Sequence, residues 1–84
     1  MSHTNTSQNS SALAQAVTSA LEKYFTELNG ESPSAVYDMV LTCVERPMLE
    51  IVMRQAGNNQ TVAAHILGIN RNTLRKKLSD HGLL

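Results

Sequence analysis

The sequence lacks tryptophan and has few aromatic residues or cysteines. It contains one Phe, two Tyr and one Cys in 84 residues. A chain of this length forms at most one domain, and its core must be small and mainly aliphatic. A single thiol cannot form a disulfide framework, which indicates a reducing, intracellular setting. Cys43 lies in an apolar helical run and is expected to be a small packed hydrophobe rather than a reactive or metal-bound group.

The sequence also lacks targeting, membrane-spanning and catalytic patterns. No apolar run approaches the roughly 20 residues that span a bilayer, and MSHTNTSQNSS has neither the basic segment nor the apolar core of a signal peptide. His3, His65 and His81 are far apart, and no glycine-rich phosphate loop or carboxylate pair occurs. We therefore predict a cytoplasmic protein that is not an enzyme, with no cofactor, metal site or membrane partner.

Net charge is zero, but the charges are segregated along the chain. Residues 1–56 contain three basic and six acidic residues, whereas residues 57–84 contain four basic residues and only Asp80 as an acid. An acidic half joined to a basic half would orient the molecule on a polyanion such as DNA.

The pattern of apolar residues predicts an all-α protomer of four helices in three regions. Residues 1–10 are polar and aperiodic, which indicates a disordered arm. Residues 11–56 contain two helices, the first ending before Gly30 and the second beginning with Ser32 as its cap and Pro33 as its first residue. Residues 57–84 contain two short helices. Pro47 should kink the second helix, with two separate helices as the alternative.

The second predicted helix has more apolar surface than its neighbours can cover. A helix that is apolar over most of its circumference requires more than one partner, and exposed patches of that size usually mark an interface. We therefore expect a symmetric homodimer with an intertwined helical core. The residues assigned to this core are Leu21, Phe25, Val40, Leu41, Val44, Met48, Ile51 and Val52.

The stretch NQTVAAHILGINRNTLRKKL, residues 59–78, has the pattern of a helix-turn-helix. Asn59 is expected to cap the first helix and Asn70 the second, with Gly68 ending the first and Ile69 beneath the turn. The inward face of the first helix is expected to contain Val62, Ala63, Ile66 and Leu67. Leu74 and Leu78 should face inward from the second helix.

The second of these helices presents the residues that DNA recognition uses. Arg and Asn side chains at the front of an exposed helix can pair bidentately with base edges, and a run of lysines at its back suits phosphates. The same charges could instead form an ordinary solvated helix face. We predict that the partner of this protein is double-stranded DNA and that the second short helix lies in a major groove.

The sequence resembles the Fis family (factor for inversion stimulation), bacterial nucleoid-associated proteins that bend DNA. Three segments carry the resemblance: ALEKYFTELNG, VYDMVLTCVERPMLEIVM and GNNQTVAAHILGINRNTLRKKL. The resemblance implies a nucleoid-associated transcriptional regulator that binds degenerate, AT-rich sites as an intertwined homodimer. It also implies that the DNA bends, because the two helices that enter the major groove lie closer together than successive major grooves. Much of the sequence specificity then comes from how easily the DNA deforms rather than from contacts with bases.

The family pattern assigns roles to individual residues. Asn70 and Arg71 match its base-contacting pair, with Arg71 on a guanine edge. The residues that match its phosphate contacts are Asn59, Thr61, Thr73, Arg75, Lys76 and Lys77. The family also implies contact with RNA polymerase through the elbow, the connection at residues 57–59 before the first short helix.

The sequence departs from the enterobacterial form of the family at several positions. Val62 replaces an arginine, and Ser79 and Asp80 replace lysines, which should weaken phosphate binding and flatten its salt dependence. Gly57 and Asn58 replace an Arg-Gly pair in the elbow, which leaves the polymerase contact open. The short polar segment over residues 1–10 is a poor match for the family's β-hairpin arm, so we expect little or no stimulation of DNA invertases.

Two alternatives remain from the sequence. One is a regulator of a few promoters rather than a global architectural protein. The other is a helical interaction module whose basic helix binds an acidic protein.

Overall fold

A computed structural model describes the backbone from Ser2 to Leu84 and the side chains of residues 11–84. Over that range the chain forms four α-helices: α1 (Ser2–Thr26), α2 (Val36–Gln55), α3 (Gln60–Leu67) and α4 (Arg71–Asp80). The prediction of an all-α protomer with four helices is confirmed. None of the described helices is both long enough and apolar enough to cross a membrane.

The bounds of α1 differ from the prediction at both ends. It begins at Ser2, within the segment expected to be a disordered arm. Residues 2–10 contain no glycine or proline, so nothing in this segment interrupts the helix. The side chains of residues 1–10, and Met1 itself, lie outside the described part of the chain. At the other end, α1 stops at Thr26 rather than near Asn29. The N–H of Leu28 donates to the carbonyl of Phe25, three residues earlier instead of four, and left-handed Asn29 (φ 53°) and Gly30 (φ 86°) follow.

The start of α2 was also predicted wrongly. The helix begins at Val36, and Ala35 occupies the N-cap position in a left-handed conformation (φ 54°) with no side-chain capping bond. The carbonyl of Ala35 accepts the first helical hydrogen bond, from the N–H of Met39 at 3.0 Å. A left-handed Ala35 breaks the helical run, so Ser32 and Pro33 cannot cap or open α2.

Helix α2 continues without interruption through Pro47. The alternative of two helices broken at this position is therefore wrong. Pro47 has no N–H to donate to the carbonyl one turn earlier, so the helix passes this point with one hydrogen bond fewer.

The chain divides into two compact units at Ser34 and Ala35. The first contains α1, in which the rings of Tyr24 and Phe25 meet edge to face with centroids 5.3 Å apart. The second contains α2, α3 and α4. Its core consists of Leu49 from α2, Ala63 and Ala64 from α3, and two leucines of α4, with half-buried apolar side chains around them.

Candidate nucleic-acid interface

Helix α3 begins and ends through local hydrogen bonds that the sequence predicted. The side-chain Oδ1 of Asn59 accepts from the N–H of Val62 at 3.1 Å, which confirms Asn59 as the N-cap. At the other end Gly68 is left-handed (φ 72°), and its N–H donates to the carbonyl of His65 at 3.2 Å. The N–H of Ile69 donates to the carbonyl of Ala64 at 3.1 Å, and together these two bonds form a Schellman turn.

The inward face of α3 is rotated from the predicted one. Ala63 and Ala64 are buried and Leu67 packs against the core, whereas Val62 and Ile66 are 43% and 52% exposed. Successive residues of a helix are about 100° apart, so a face centred on the two alanines turns Val62 and Ile66 outward. Small side chains permit close approach of α3 to its neighbours, and this packing decides which face is buried.

Helix α4 has the predicted orientation. The Oδ1 of Asn70 accepts from the N–H of Asn72 at 2.7 Å, which confirms Asn70 as the N-cap. Leu74 and Leu78 are fully buried, at 0% and 1% exposure. Ile69 packs against the same core from the turn. The polar residues of α4 are therefore left on its outer side, and we refer to α4 as the reading helix.

The residues assigned to DNA contact lie at the start of α3 and along the reading helix. Arg71 and Thr61 are brought together across the turn, since the Arg71 Nη1 donates to the Thr61 Oγ1 at 3.3 Å. Apart from Lys77, which is half-buried, the assigned residues are exposed: Asn59, Thr61, Asn70, Arg71, Thr73, Arg75 and Lys76. Their contacts with DNA stay predictions.

The two neighbouring lysines of the reading helix have different surroundings. The Lys76 Nζ lies 3.2 Å from the Asp80 Oδ2 one turn later in the same helix, and both side chains are largely exposed. The Lys77 Nζ lies 2.7 Å from the Glu45 Oε2 of α2, in a part-buried contact. A phosphate contact from Lys77 would have to compete with this carboxylate.

Glu45 also accepts a contact from the end of the reading helix. The His81 Nε2 lies 2.8 Å from the Glu45 Oε1, so the two carboxylate oxygens have two different partners. The hydrogen bond from Lys77, followed by that from His81, lowers the pKa of the Glu45 carboxyl below its ordinary value. The guanidinium of Arg46 donates to the backbone carbonyl of His81 as well.

Glu45 and Arg46 were not recognised from the sequence as partners of the reading helix. Glu45 is 32 residues from Lys77 and 36 from His81. A glutamate within the sequence of α2 does not by itself indicate so distant a partner. Helical spacing places Glu45 near the side of α2 that contains Leu49, and that observation could have directed attention to it.

The described residues include a small pocket but no metal cluster. Among them, no group of three or more His, Cys, Asp and Glu side chains could hold a metal ion. A shallow pocket of about 210 Å³ is lined by Glu50, Met53, Asn58 and Leu83. Pockets for small molecules usually exceed about 300 Å³.

Comparison with known proteins identifies the family. Residues 41–81 match the family described as bacterial regulatory protein, Fis family. The chain is 58% identical to a Fis-like DNA-binding protein of Ralstonia nicotianae over 86% of this chain and 94% of the relative. It is 57% identical to one from Neisseria meningitidis serogroup A over 86% and 91% of the two chains. It is 52% identical to the DNA-binding protein Fis of Mannheimia haemolytica over 80% and 68%. The resemblance inferred from the sequence is thereby confirmed, and the chain belongs to the Fis family of bacterial regulatory proteins.

Proposed function

We propose that this protein binds double-stranded DNA by inserting the reading helix into the major groove. The observation that carries the proposal is the Arg71 side chain at the exposed front of this helix, within hydrogen-bonding distance of Thr61 on α3. A guanidinium held at the start of an exposed helix can donate bidentately to the O6 and N7 of guanine. Asn70 supplies an adjacent amide, and the relatives named as DNA-binding proteins support this partner.

The phosphate backbone would be contacted on both sides of this pair. Asn59 and Thr61 lie at the start of α3, whose N-terminal amides favour an anion. Thr73, Arg75 and Lys76 lie along the reading helix. Such contacts determine the position of a protein on the duplex and dominate its affinity, whereas base edges supply the sequence preference.

We propose that the protein acts as a homodimer formed through α2. Tyr37, Leu41, Met48 and Ile51 are 75%, 48%, 43% and 47% exposed. Their spacings of four, seven and three residues place them along one side of α2, away from buried Leu49. Val40 and Val44 are half-buried along this side, whereas half-buried Val52 packs against the core of α2, α3 and α4. Leu21 and Phe25 of α1 are assigned to the dimer core by the sequence pattern alone.

A symmetric dimer would present two reading helices to one DNA duplex. We propose that it binds degenerate, AT-rich sites and bends them, with the energy of deforming the central base pairs supplying part of the specificity. This activity fits a nucleoid-associated regulator of transcription in the bacterial cytoplasm. Contact with RNA polymerase before α3 is not part of this proposal, because Gly57 and Asn58 depart from the family's Arg-Gly pair there.

The experiment is an electrophoretic mobility titration on circularly permuted, AT-rich DNA fragments. Wild type, Arg71→Ala and Arg54→Ala are compared at one salt concentration. Arg54 is a matched control, since it is an exposed arginine in the last turn of α2 rather than on the reading helix. We expect Arg71→Ala to cost about 1–3 kcal/mol per reading helix, a factor of about 5 to 150 in affinity for each of the two helices of a dimer, and Arg54→Ala to leave binding unchanged.

Each result has a direct interpretation. Tight binding whose mobility depends on the position of the site supports a bending protein. Equal effects of the two arginine substitutions contradict base recognition by Arg71. No complex at moderate salt, in folded and dimeric protein, overturns DNA binding and favours an acidic protein as the partner. Genome-wide occupancy limited to a few sites would favour a local regulator.

A further inference from the structure

The contact between α2 and the end of the reading helix distinguishes two adjacent lysines. We propose that Glu45 is a positioning residue that anchors the end of the reading helix on α2 and retains the Lys77 ammonium within the protein. Lys76, and not Lys77, then supplies the phosphate contact at this end of the helix. This inference rests on the proposed function, because it states which of two lysines in the DNA-binding surface contacts phosphate.

Three polar contacts form the anchor. Both carboxylate oxygens of Glu45 are used, one by the Lys77 Nζ at 2.7 Å and the other by the His81 Nε2 at 2.8 Å. Arg46, the next residue of α2, donates to the carbonyl of His81. The final turn of the reading helix is therefore attached to α2 through one side chain of α4 and through both the ring and the backbone of His81.

Partial burial makes the two contacts of Glu45 stronger than an ordinary surface pair. The side chains of His81 and Glu45 are 9% and 26% exposed, and that of Lys77 is 37% exposed. The Lys76 and Asp80 side chains, in contrast, are 78% and 60% exposed. Ion pairs within one exposed helix face contribute little and exchange readily with solvent, whereas partial burial reduces screening. Lys76 is consequently free to exchange Asp80 for a phosphate, while Lys77 would first have to leave Glu45.

The charges that surround the anchor are consistent with this division. Glu45 faces Lys77 and His81 from α2, and Arg46 beside it also pairs with Glu50 at 3.7 Å. Withdrawing Lys77 from Glu45 would leave a part-buried carboxylate with only His81 as a partner. Leaving one member of such a pair without its counter-ion is unfavourable. A phosphate contact from Lys77 would therefore require free energy to separate Lys77 from Glu45, and a phosphate contact from Lys76 would not.

The experiment compares Lys76→Gln with Lys77→Gln, a matched pair at adjacent positions, together with Glu45→Gln and the double variant Glu45→Gln/Lys77→Gln. The full-length variants are first unfolded in urea without DNA. We expect Glu45 and Lys77 to be coupled, so that the double variant is more stable than additive effects predict by about two- to fivefold in the unfolding equilibrium constant. Additive effects would overturn the anchor.

The salt dependence of DNA binding then tests the division between the lysines. Each phosphate contact contributes about 0.9 to the slope of log K against log salt. We expect Lys76→Gln to reduce the slope by about 0.9 per reading helix and Lys77→Gln to leave it unchanged. Glu45→Gln should make the slope steeper, because it releases Lys77 to contact a phosphate. The double variant Glu45→Gln/Lys77→Gln should lose this additional slope.

Failure of this inference can be distinguished from failure of the proposed function. Wild-type binding with equal losses of slope in Lys76→Gln and Lys77→Gln overturns the inference and leaves DNA binding intact. A folded wild type that does not bind DNA overturns the proposed function, and the urea cycle alone then decides whether Glu45 anchors the reading helix. Circular dichroism of each variant at the assay concentration confirms that it is folded.

Discussion

Arg71 and Thr61 show how two residues ten positions apart can act together. Their side chains meet across the turn between α3 and the reading helix, at 3.3 Å. An unrestrained arginine loses rotational freedom when it docks on a base, and a hydroxyl partner reduces that loss in advance. Thr61 would therefore contribute to affinity through Arg71 as well as through a phosphate.

We predict that Thr61→Val weakens DNA binding by about 1 kcal/mol, roughly fivefold, because valine retains the shape of threonine without its hydroxyl. In the Arg71→Ala background the same change should cost less, since the guanidinium that it orients is gone. Equilibrium titrations of the four proteins measure this coupling. Thr73→Val, a threonine on the reading helix that lacks this contact with Arg71, is the matched control, and equal coupling at both positions would contradict the prediction.

Glu45 predicts a dependence of stability on pH at the residue scale. Its pKa is lowered by Lys77 and His81, so ionised Glu45 stabilises the folded state at pH values above its ordinary pKa of 4.5. This contribution is lost as the pH falls through the lowered folded-state pKa. The stabilisation of wild type over Glu45→Gln, measured as the difference in unfolding free energy, should decrease as the pH falls below about 5.

Urea unfolding of both proteins across this range isolates Glu45, because the other carboxylates titrate in both. Glu50→Gln is the control, since Glu50 lies on the same helix and forms only an exposed pair with Arg46. A difference between wild type and Glu45→Gln that grows as the pH falls below 5 would contradict the assignment.

Single residues were predicted well where their partners are close in sequence. The caps at Asn59 and Asn70 depend on amides two or three residues later, so local sequence determines them. The ion pair between Glu45 and Lys77 depends on how α2 packs against the reading helix. Such packing is a property of the folded unit, and no short stretch of sequence contains it.

At the scale of elements, the left-handed turn at Gly68 sets the direction of the reading helix. Space around Gly68 is open: apart from its two chain neighbours, no residue has a heavy atom within 4 Å of the position that a Cβ would occupy. A substitution there therefore strains the backbone without creating a clash.

We predict that Gly68→Ala reduces the unfolding free energy by about 1–2 kcal/mol, because residues with a Cβ, asparagine excepted, are disfavoured at φ 72°. Gly68→Asn should cost less, since asparagine tolerates this conformation. Thermal unfolding of both variants beside wild type measures the effect. Equal destabilisation by alanine and asparagine would show that the conformation of the turn is not the cause.

The helix boundaries show where sequence patterns fail at this scale. Ser32 and Pro33 have the composition of a helix start, yet α2 begins after the left-handed Ala35. The rotated face of α3 has a similar origin, because Val62 and Ile66 match the helical period as well as Ala63 and Leu67 do. Periodicity identifies a helix, but tertiary packing selects among its apolar faces.

At the scale of the whole molecule, the exposed apolar side of α2 is the surface that we propose a second copy of the chain covers. We predict that Met48→Glu shifts the protein from dimer to monomer at micromolar concentrations, because it buries a charge in the proposed interface. Sedimentation equilibrium measures this directly. Thr42→Glu is the control, since Thr42 is exposed and lies on a different side of α2 from Met48. Thr42 is seven residues, about two turns, before Leu49 and therefore shares the side of Leu49. A dimer that survives Met48→Glu would contradict the proposed interface.

The small core of α2, α3 and α4 has a consequence for the amount of protein that a cell must maintain. Among the described side chains, the buried ones are two alanines and three leucines, Leu49, Leu74 and Leu78. A core of this size supports only marginal stability by itself. If association covers α2, folding and assembly obey one mass-action equilibrium, and the melting temperature rises with protein concentration. Dilution alone would then unfold the protein, so its lifetime would depend on how abundant it is.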